Sequence, residues 1–229
     1  MGDNPTWYRR SFMGRLPEPA QQGLLALGHT QLLDPGATLI RQGDPGGVAY
    51  LLLDGRVNVT KVAENGTQSL LAIRYPGDLI GEMAVISAEP RAATVVGRVK
   101  TTLLTLPGDE FVRFLGEHPM AALALSAITG DRLMQAHAYR TDAAAYPVEV
   151  RVARALLYQG QRMAHQSDGF FFLDLKQSEL AMLIGAKEGT VQKALAQGEH
   201  LPALVENRRG RVMIRDLPGL AAFAELSGS

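Results

Sequence analysis

The charged residues Glu82 and Arg91 lie in the segment GEMAVISAEPRAATV (81–95) with small residues beside both of them. A helix that begins at Gly81 would direct unpaired backbone N–H groups outward, and such groups bind phosphate. The planar, permanently charged guanidinium of Arg91 also suits phosphate oxygens. Glu82 cannot bind phosphate, but it suits a ribose 2′-hydroxyl. The segment therefore predicts a pocket for a phosphorylated ribose. A surface ion pair between Glu82 and Arg91, which contributes about 0 to 1 kcal/mol, is the alternative.

A second group of charged and polar residues lies near the C-terminus. The run 176–200 predicts two helices joined at Gly185, and the run 201–216 predicts two strands around a basic tip. This order is typical of a winged helix-turn-helix, which binds DNA. The candidates for reading base edges are Glu188, Gln192 and Lys193. The candidates for binding phosphates are Lys176, Lys187, Arg208, Arg209 and Arg211.

The composition of the chain narrows its function further. Of its 229 residues 46% are hydrophobic, and 23 basic residues balance 23 acidic ones. The C-terminal residues 141–229 hold ten of each sign, so the predicted DNA-binding segment is formally neutral. The chain has no cysteine, which excludes disulfides, thiolate metal sites and iron–sulfur clusters. No catalytic constellation or metal cluster is recognisable, so we expect neither an enzyme nor a metalloprotein.

The elements that must position the first site are short strands. From His29 to about Leu106 the chain alternates apolar runs with glycine- and proline-containing turns. Asn65-Gly66 between two such runs is a hairpin signal. This pattern predicts an antiparallel barrel or sandwich. No apolar run reaches the length of about 18 residues that a membrane span requires, so we expect no membrane contact and a cytoplasmic location.

A long helix should follow the strands. Pro119 suits a first helical position, and no proline recurs until Pro147, where the helix must end and a hinge is expected. Leu125 and Ile128 are expected to pack on the barrel. A seam of mostly small residues at heptad spacing predicts a homodimer and consists of Ala122, Ser126, Thr129, Leu133, Ala136, Arg140 and Ala143. The run 148–166 predicts a second helix.

Segment 81–95 resembles the phosphate-binding cassette of cyclic-nucleotide-binding domains, in which a G-E-L-A-like start is followed by P-R-A-A-T or P-R-S-A. With the barrel, long helix, hinge and winged helix-turn-helix, the chain from about Gly23 to Leu217 resembles the bacterial catabolite activator (Crp/Fnr) family of transcription regulators. The resemblance implies that a ligand in the barrel reorients the DNA-binding domains. The ligand-binding residues that it implies are Gly81, Glu82, Met83, Arg91, Ala92 and Ala93.

The fold class that these patterns and the resemblance imply is α+β. An N-terminal antiparallel, jelly-roll-like β-barrel that binds the cyclic nucleotide is expected over residues 1–117. A long dimerisation helix and hinge are expected over 118–146, and a winged helix-turn-helix over 147–229.

Some residues depart from the pattern of the family. Where its cyclic AMP (cAMP) sensors place hydroxyl side chains on the long helix, this chain has Ala136 and His137. His137 is a candidate contact to the base, with a packed or solvated histidine as the alternative. Gly189 weakens the second helix of the DNA-binding unit by about 1 kcal/mol relative to alanine and cannot read a base edge. Ala92 and Ala93 offer no side-chain partner to a guanine amino group, which favours cAMP over cyclic GMP.

The leading hypothesis is therefore a homodimeric transcription regulator that responds to cAMP, binds an inverted-repeat DNA site and contacts RNA polymerase. An interaction module that binds a cyclic nucleotide and no longer reads DNA is one alternative, favoured by Gly189 and by the neutral C-terminal domain. A ligand-independent DNA-binding protein is another, favoured by the missing hydroxyls at Ala136 and His137.

Overall fold

The computed structural model describes residues 7–163, 165–167, 170–208 and 210–226. The chain divides into two compact units, Met1–Leu133 and Met134–Ser229. Among the helices in the described ranges, none is both long enough and apolar enough to cross a membrane.

The first unit contains two short helices followed by eight strands. The helices are α1 (Phe12–Arg15) and α2 (Glu18–Ala26). The strands are β1 (His29–Leu33), β2 (Thr38–Ile40), β3 (Val48–Asp54), β4 (Val57–Val62), β5 (Gln68–Arg74), β6 (Leu79–Ile80), β7 (Thr94–Gly97) and β8 (Thr101–Pro107). A third helix, α3 (Glu82–Ser87), lies between β6 and β7.

The strands form two four-stranded antiparallel sheets, in the orders β1-β8-β3-β6 and β2-β7-β4-β5. The α+β class and the jelly-roll-like architecture are thereby confirmed, and the barrel takes the form of two sheets. The hairpin predicted at Asn65-Gly66 joins β4 to β5. Gly66 has φ of 80°, a conformation that glycine adopts at little steric cost.

Two helices complete the core of the first unit, α4 (Gly108–Glu117) and the 27-residue α5 (Pro119–Ala145). Leu125 and Ile128 of α5 are buried in one cluster with Phe111 and Phe114 of α4 and with apolar residues of β3 and β8. The prediction that these two residues pack on the barrel is confirmed. The face of α5 that carries Leu125 and Ile128 is therefore buried against the first unit, and the remaining faces are available to other partners.

The start and the end of α5 agree with the proline signals. The helix begins at Pro119 and ends at Ala145, before the predicted hinge at Tyr146-Pro147. All seven residues of the predicted seam are exposed in the chain. Larger apolar residues of α5 are also exposed, including Leu123 (62%) and Met134 (67%).

The second unit forms the predicted winged helix-turn-helix. Its elements after α5 are α6 (Val148–Met163), β9 (His165–Ser167), β10 (Phe170–Leu173), α7 (Gln177–Ile184), α8 (Glu188–Gln197), α9 (Leu201–Leu204), β11 (Val205–Arg208), β12 (Arg211–Ile214) and α10 (Leu217–Leu226). The four strands form one antiparallel sheet in the order β11-β12-β10-β9.

The helix predicted over 148–166 is too long. It ends at Met163, and His165–Ser167 pairs instead with Phe170–Phe172 as the sheet's edge strand. Periodicity in the run predicted a continuing helix, but sheet pairing takes the backbone hydrogen bonds of its last residues.

Polar contacts join the end of α5 to α6 within the second unit. The Nε atom of Arg154 donates to the buried Asp142 carboxylate over 3.0 Å, and the guanidinium lies 5.0 Å from the centre of the Tyr146 ring. The Tyr139 hydroxyl accepts hydrogen bonds from Gln135 and Gln159, and burial raises the pKa of Tyr139. These contacts fix α6 against the end of α5.

Candidate functional site

The predicted cassette lies between β6 and β7. Strand β6 runs into Gly81, which precedes α3, so the helix predicted to begin at Gly81-Glu82 is present. The following turn returns the chain to β7 in the other sheet. Its backbone is fixed at Arg91, whose N–H donates to the Asp44 carbonyl over 2.8 Å and whose carbonyl accepts from the N–H of Gly43 over 2.9 Å.

Gly81 is required by its surroundings and by its own backbone. Its φ is 75°, in the left-handed region that favours glycine. A Cβ atom at this position would lie 2.5 Å from the Nη1 atom of Arg91 and 2.9 Å from the Cδ1 atom of Ile40. The group that approaches the backbone here is therefore the Arg91 side chain of the same chain.

Arg91 is buried, with 6% of its surface exposed. Its guanidinium donates to two backbone carbonyls, from Nη1 to Gly81 over 2.7 Å and from Nη2 to Val48 over 2.8 Å. A guanidinium has five N–H donors, so these two bonds leave donors for a phosphate. Arg91 thus links the start of the cassette to β3 and still has N–H donors that can bind an anion.

Glu82 is more deeply buried, at 3% exposure. It forms an ion pair with Arg132 of α5. Arg132 also donates to the carbonyl of Leu79 over 2.7 Å. The alternative of an ion pair between Glu82 and Arg91 is therefore not the arrangement seen. Glu82 and Arg91 are thus each bonded to other protein groups.

Sequence reasoning missed Arg132, although a signal was present. Arg132 follows Leu125 and Ile128 at helical spacings of seven and four residues, on the face of α5 that was predicted to pack on the barrel. A cation on a core-facing position requires a partner, because an unpaired buried charge is strongly unfavourable. The partner could not be named from the sequence, since only the fold brings Glu82 to this face.

The remaining predicted ligand-binding residues are more open. Met83 is 57% exposed, Ala92 is exposed and Ala93 is half-buried. His137 is exposed on α5, in the second compact unit. The structure thus brings Gly81 and Arg91 into contact, while the predicted roles of Met83, Ala92, Ala93 and His137 stay predictions.

The predicted DNA-binding helices are α7 and α8. Gly185 ends α7 with φ of 63°, which confirms the predicted glycine turn. Val191, Ala194 and Leu195 bury one side of α8. Its opposite side is exposed and carries Lys187, Glu188, Gly189, Gln192 and Lys193. The candidate readers therefore lie together on the solvent face of one helix.

Two residues of α6 hold the helix-turn-helix in place. The Arg151 guanidinium donates to the carbonyls of Ile184 and Gly185, at the end of α7. Glu149 accepts hydrogen bonds from the N–H groups of Glu199 (3.0 Å) and His200 (3.2 Å), which precede α9. Because the orphan groups of helix ends need partners, these contacts fix both ends of the segment that contains α8.

We call β11, β12 and the following residue Arg215 the wing, and the turn between the two strands is its tip. Arg208 donates from Nε to Glu206 over 2.7 Å, and Arg215 pairs with the same carboxylate. Arg211 pairs with Asp174 over 2.5 Å. Lys176, also predicted to bind phosphate, is exposed. Arg209 lies outside the described residues, so its prediction is not examined by the structure.

Comparison with known proteins identifies both units. A family model described as a cyclic nucleotide-binding domain matches residues 30–118, and one described as a Crp-like helix-turn-helix domain matches residues 150–223. A CRP-like cAMP-activated global transcriptional regulator of Mycobacterium tuberculosis is 30% identical over 167 residues, which cover 72% of this chain and 75% of that protein. The chain belongs to the Crp/Fnr family.

A second relative and a solved structure extend this result. The cyclic AMP receptor protein of Thermus thermophilus is 31% identical over 186 residues, which cover 80% of this chain and 82% of that protein. The solved structure of a c-di-GMP-responsive global regulator of Xanthomonas campestris matches with a TM-score of 0.70 at 21% identity, covering 86% of this chain and 99% of that one. At that identity the match shows the shared fold.

Membership of the family carries the coarse function. The chain is a transcription regulator that responds to a cyclic nucleotide and binds DNA through its helix-turn-helix. The M. tuberculosis relative is a transcriptional regulator, and both family models describe binding domains, which confirms the expectation that the chain is not an enzyme. The cassette and the exposed face of α8 are therefore the candidate sites for the two ligands of a Crp/Fnr protein.

Proposed function

We propose that the chain is a cytoplasmic, homodimeric regulator whose effector is cAMP and whose site on DNA is an inverted repeat. The observation that carries the proposal is the cassette, in which Glu82 at the start of α3 and Arg91, bonded to the carbonyl of the preceding Gly81, are both buried. Burial strengthens charge-assisted hydrogen bonds, so these two groups suit a ligand that presents both an anion and a hydroxyl.

In the proposed complex Arg91 binds the cyclic phosphate and Glu82 accepts a hydrogen bond from the ribose 2′-hydroxyl. Gly81, Met83, Ala92 and Ala93 form the remainder of the cassette. His137 is the proposed contact to the base. The names of the M. tuberculosis and T. thermophilus relatives support cAMP as the effector. The absence of hydroxyls at Ala92 and Ala93 also favours cAMP over cyclic GMP.

Calorimetric titration with cAMP, cyclic GMP and c-di-GMP tests the choice of effector. We expect cAMP to bind most tightly. Arg91→Ala should weaken cAMP binding by several kcal/mol. Glu82→Ala should weaken it by about 1.5 to 3 kcal/mol, which is the range for a hydrogen bond to a charged group. Arg113→Ala is the control, because Arg113 is an exposed cation of the same unit. Equal affinities for cAMP and cyclic GMP would contradict the proposed base preference.

Arg91 also supports the fold, so its substitution needs a second variant. Arg91→Lys keeps the charge but loses the bidentate geometry. Thermal unfolding followed by circular dichroism reports whether each variant is folded. A folded Arg91→Ala protein with wild-type affinity for cAMP would exclude the cassette as the effector site.

We propose that α5 forms the dimer interface. All seven seam residues, among them Leu133, are exposed. The apolar residues Leu123 and Met134 are also exposed on the same helix. A second copy of α5 would bury these apolar groups, and small residues permit close approach of two helices. Gly130 is also open, with no atom within 4 Å of a Cβ placed there.

Sedimentation velocity tests the proposed interface. The wild-type protein should sediment as a dimer, and Leu133→Glu should dissociate it because burial of an unpaired carboxylate is unfavourable. Val112→Glu is the control, since Val112 is an exposed apolar residue on α4. A Leu133→Glu protein that remains dimeric would place the interface elsewhere.

For DNA binding we propose that Glu188, Gln192 and Lys193 read base edges. Lys176, Lys187, Arg208, Arg209 and Arg211 are proposed to bind phosphates. With twofold symmetry the half-site centres should lie about 10 base pairs apart. Selection from a random DNA pool, with and without cAMP, should yield such an inverted repeat, and transcription with RNA polymerase on that site tests the polymerase as a partner.

A protein-interaction module is the second candidate function. The paired arginines of the wing and the missing side chain at Gly189 favour it, because both reduce the groups available to DNA. A selection that returns no inverted repeat under any ligand condition would support this candidate. An inverted repeat recovered equally without cAMP would instead support a ligand-independent DNA-binding protein.

A further inference from the structure

The charges of the wing are compensated by carboxylates of the same domain. Glu206 holds two arginines at once, with Arg208 contributing Nε over 2.7 Å and Nη2 over 3.3 Å and Arg215 contributing Nη2. Asp174 holds Arg211. Every arginine of the wing that the structure describes is thus bonded to a carboxylate.

The lysines at α8 are arranged differently. Lys187 and Lys193 are exposed, and within the described residues neither has a carboxylate partner. Their charges are available to DNA without an exchange of partners. The attraction for phosphates is therefore concentrated at the reading helix, next to the candidate base contacts.

We infer that Glu206 limits the affinity of the wing for DNA of any sequence because it competes with phosphates for the donors of Arg208 and Arg215. This inference rests on the proposed function, because it requires that the wing approaches the DNA backbone. Glu206 thereby makes binding depend on the contacts of α8, and it keeps the phosphate contribution of the wing small.

The physical reason is the competition between two anions for the same donors. Binding to DNA of any sequence comes from cations that neutralise phosphates and release counterions. A phosphate that approaches Arg208 meets an Nε–H edge already bonded to Glu206, and it also meets the negative charge of that carboxylate. Hydrogen bonds from Arg208 and Arg215 lower the pKa of Glu206, so the carboxylate stays ionised at neutral pH.

The test measures the DNA affinity of the full chain in cAMP as a function of potassium chloride concentration. Two fluorescent duplexes are used, the site selected from the random pool and a scrambled duplex of the same composition. Glu206→Gln removes the charge and keeps the shape. Glu225→Gln removes the same charge from α10, away from the wing, and is the matched control.

We expect Glu206→Gln to bind both duplexes about three to ten times more tightly, with a slope of log K against log salt steeper by about 0.9 for each additional phosphate neutralised. The ratio between the two duplexes should not change, because phosphate contacts carry no sequence information. Glu225→Gln should retain the wild-type slope. Combining Arg208→Ala with Glu206→Gln should remove most of the increase.

Three outcomes would overturn the inference. A slope unchanged relative to Glu225→Gln would mean that the wing arginines do not reach phosphates once released. Weaker binding by Glu206→Gln would mean that the carboxylate positions the arginines for DNA. An increase that persists in the Arg208→Ala background would assign the effect to other groups. If the random pool yields no site, the proposed sequence-specific function fails, while the scrambled duplex still tests Glu206.

Discussion

The cassette and the reading helix hold their charged residues in opposite ways. In the cassette, Glu82 and Arg91 are 3% and 6% exposed and bonded to an arginine and to backbone carbonyls. On α8, Glu188 and Lys193 are exposed. A ligand of the cassette therefore meets groups that already bond to the protein, whereas a partner of α8 meets groups that are presented to solvent.

Because of this difference, a substitution can change ligand binding without changing the stability of the fold only on α8, and not in the cassette. A substitution in the cassette should affect both the fold and the ligand, because the same atoms serve both. A substitution on the exposed face of α8 should affect the partner and leave the fold intact. The following variants test that contrast.

The largest effect on stability is expected for Arg132→Ala. It leaves Glu82 as a buried charge without its partner, which should destabilise the first unit by about 3 kcal/mol. Arg15→Ala is the matched control, because Arg15 pairs with the neighbouring Asp131 at an exposed site and should contribute no more than about 1 kcal/mol. Urea unfolding measures both, and equal losses would contradict the assigned importance of the buried pair.

A smaller loss of stability is expected for Gly81→Ala, on the order of 2 kcal/mol. The left-handed backbone disfavours alanine, and the new Cβ atom would crowd Arg91. Cyclic AMP binding should weaken with it, since Arg91 must move. Calorimetry and urea unfolding of the same preparation measure the two effects. A stable Gly81→Ala protein with normal cAMP affinity would show that Arg91 is not fixed by this contact.

For Lys193→Ala the expected effect is confined to DNA. Preference at one base position in each half-site should relax by about 1 to 3 kcal/mol. The free energy of unfolding should stay within about 0.5 kcal/mol of the wild-type value. Binding to a panel of single-base variants of the selected site measures this. Gln197→Ala, one turn further along α8, is the control. A uniform loss across all sequences would reassign Lys193 to a phosphate contact.

The smallest effect, and one of opposite sign, is expected for Gly189→Ala. The backbone φ is not in the left-handed region, and nothing lies within 4 Å of a Cβ at this position. Alanine should therefore stabilise the second unit by up to about 1 kcal/mol. Gly185→Ala should instead destabilise it, because Gly185 has φ of 63°. A destabilised Gly189→Ala protein would reveal a structural role for this glycine.

Local signals predicted much of this architecture. Pro119 and Pro147 bracket α5, and Gly66 and Gly185 mark turns, because each of these residues restricts or permits backbone angles by itself. Local signals did not predict the elements that form only by pairing with another strand. His165 and Gln166 were predicted as helix and belong to a strand, since a strand is defined by its neighbour in the sheet.

The sequence alone determined the antiparallel strand domain, the helix-turn-helix and the positions of the cassette residues, because residue type and spacing act over short distances along the chain. Only the tertiary structure decided that Arg132 meets Glu82, 50 residues away, and that Asp174 meets Arg211 across the sheet. Partners of charged groups are chosen by which elements the fold brings together. Periodicity places a charge on a face of an element, but it does not say which residue lies opposite.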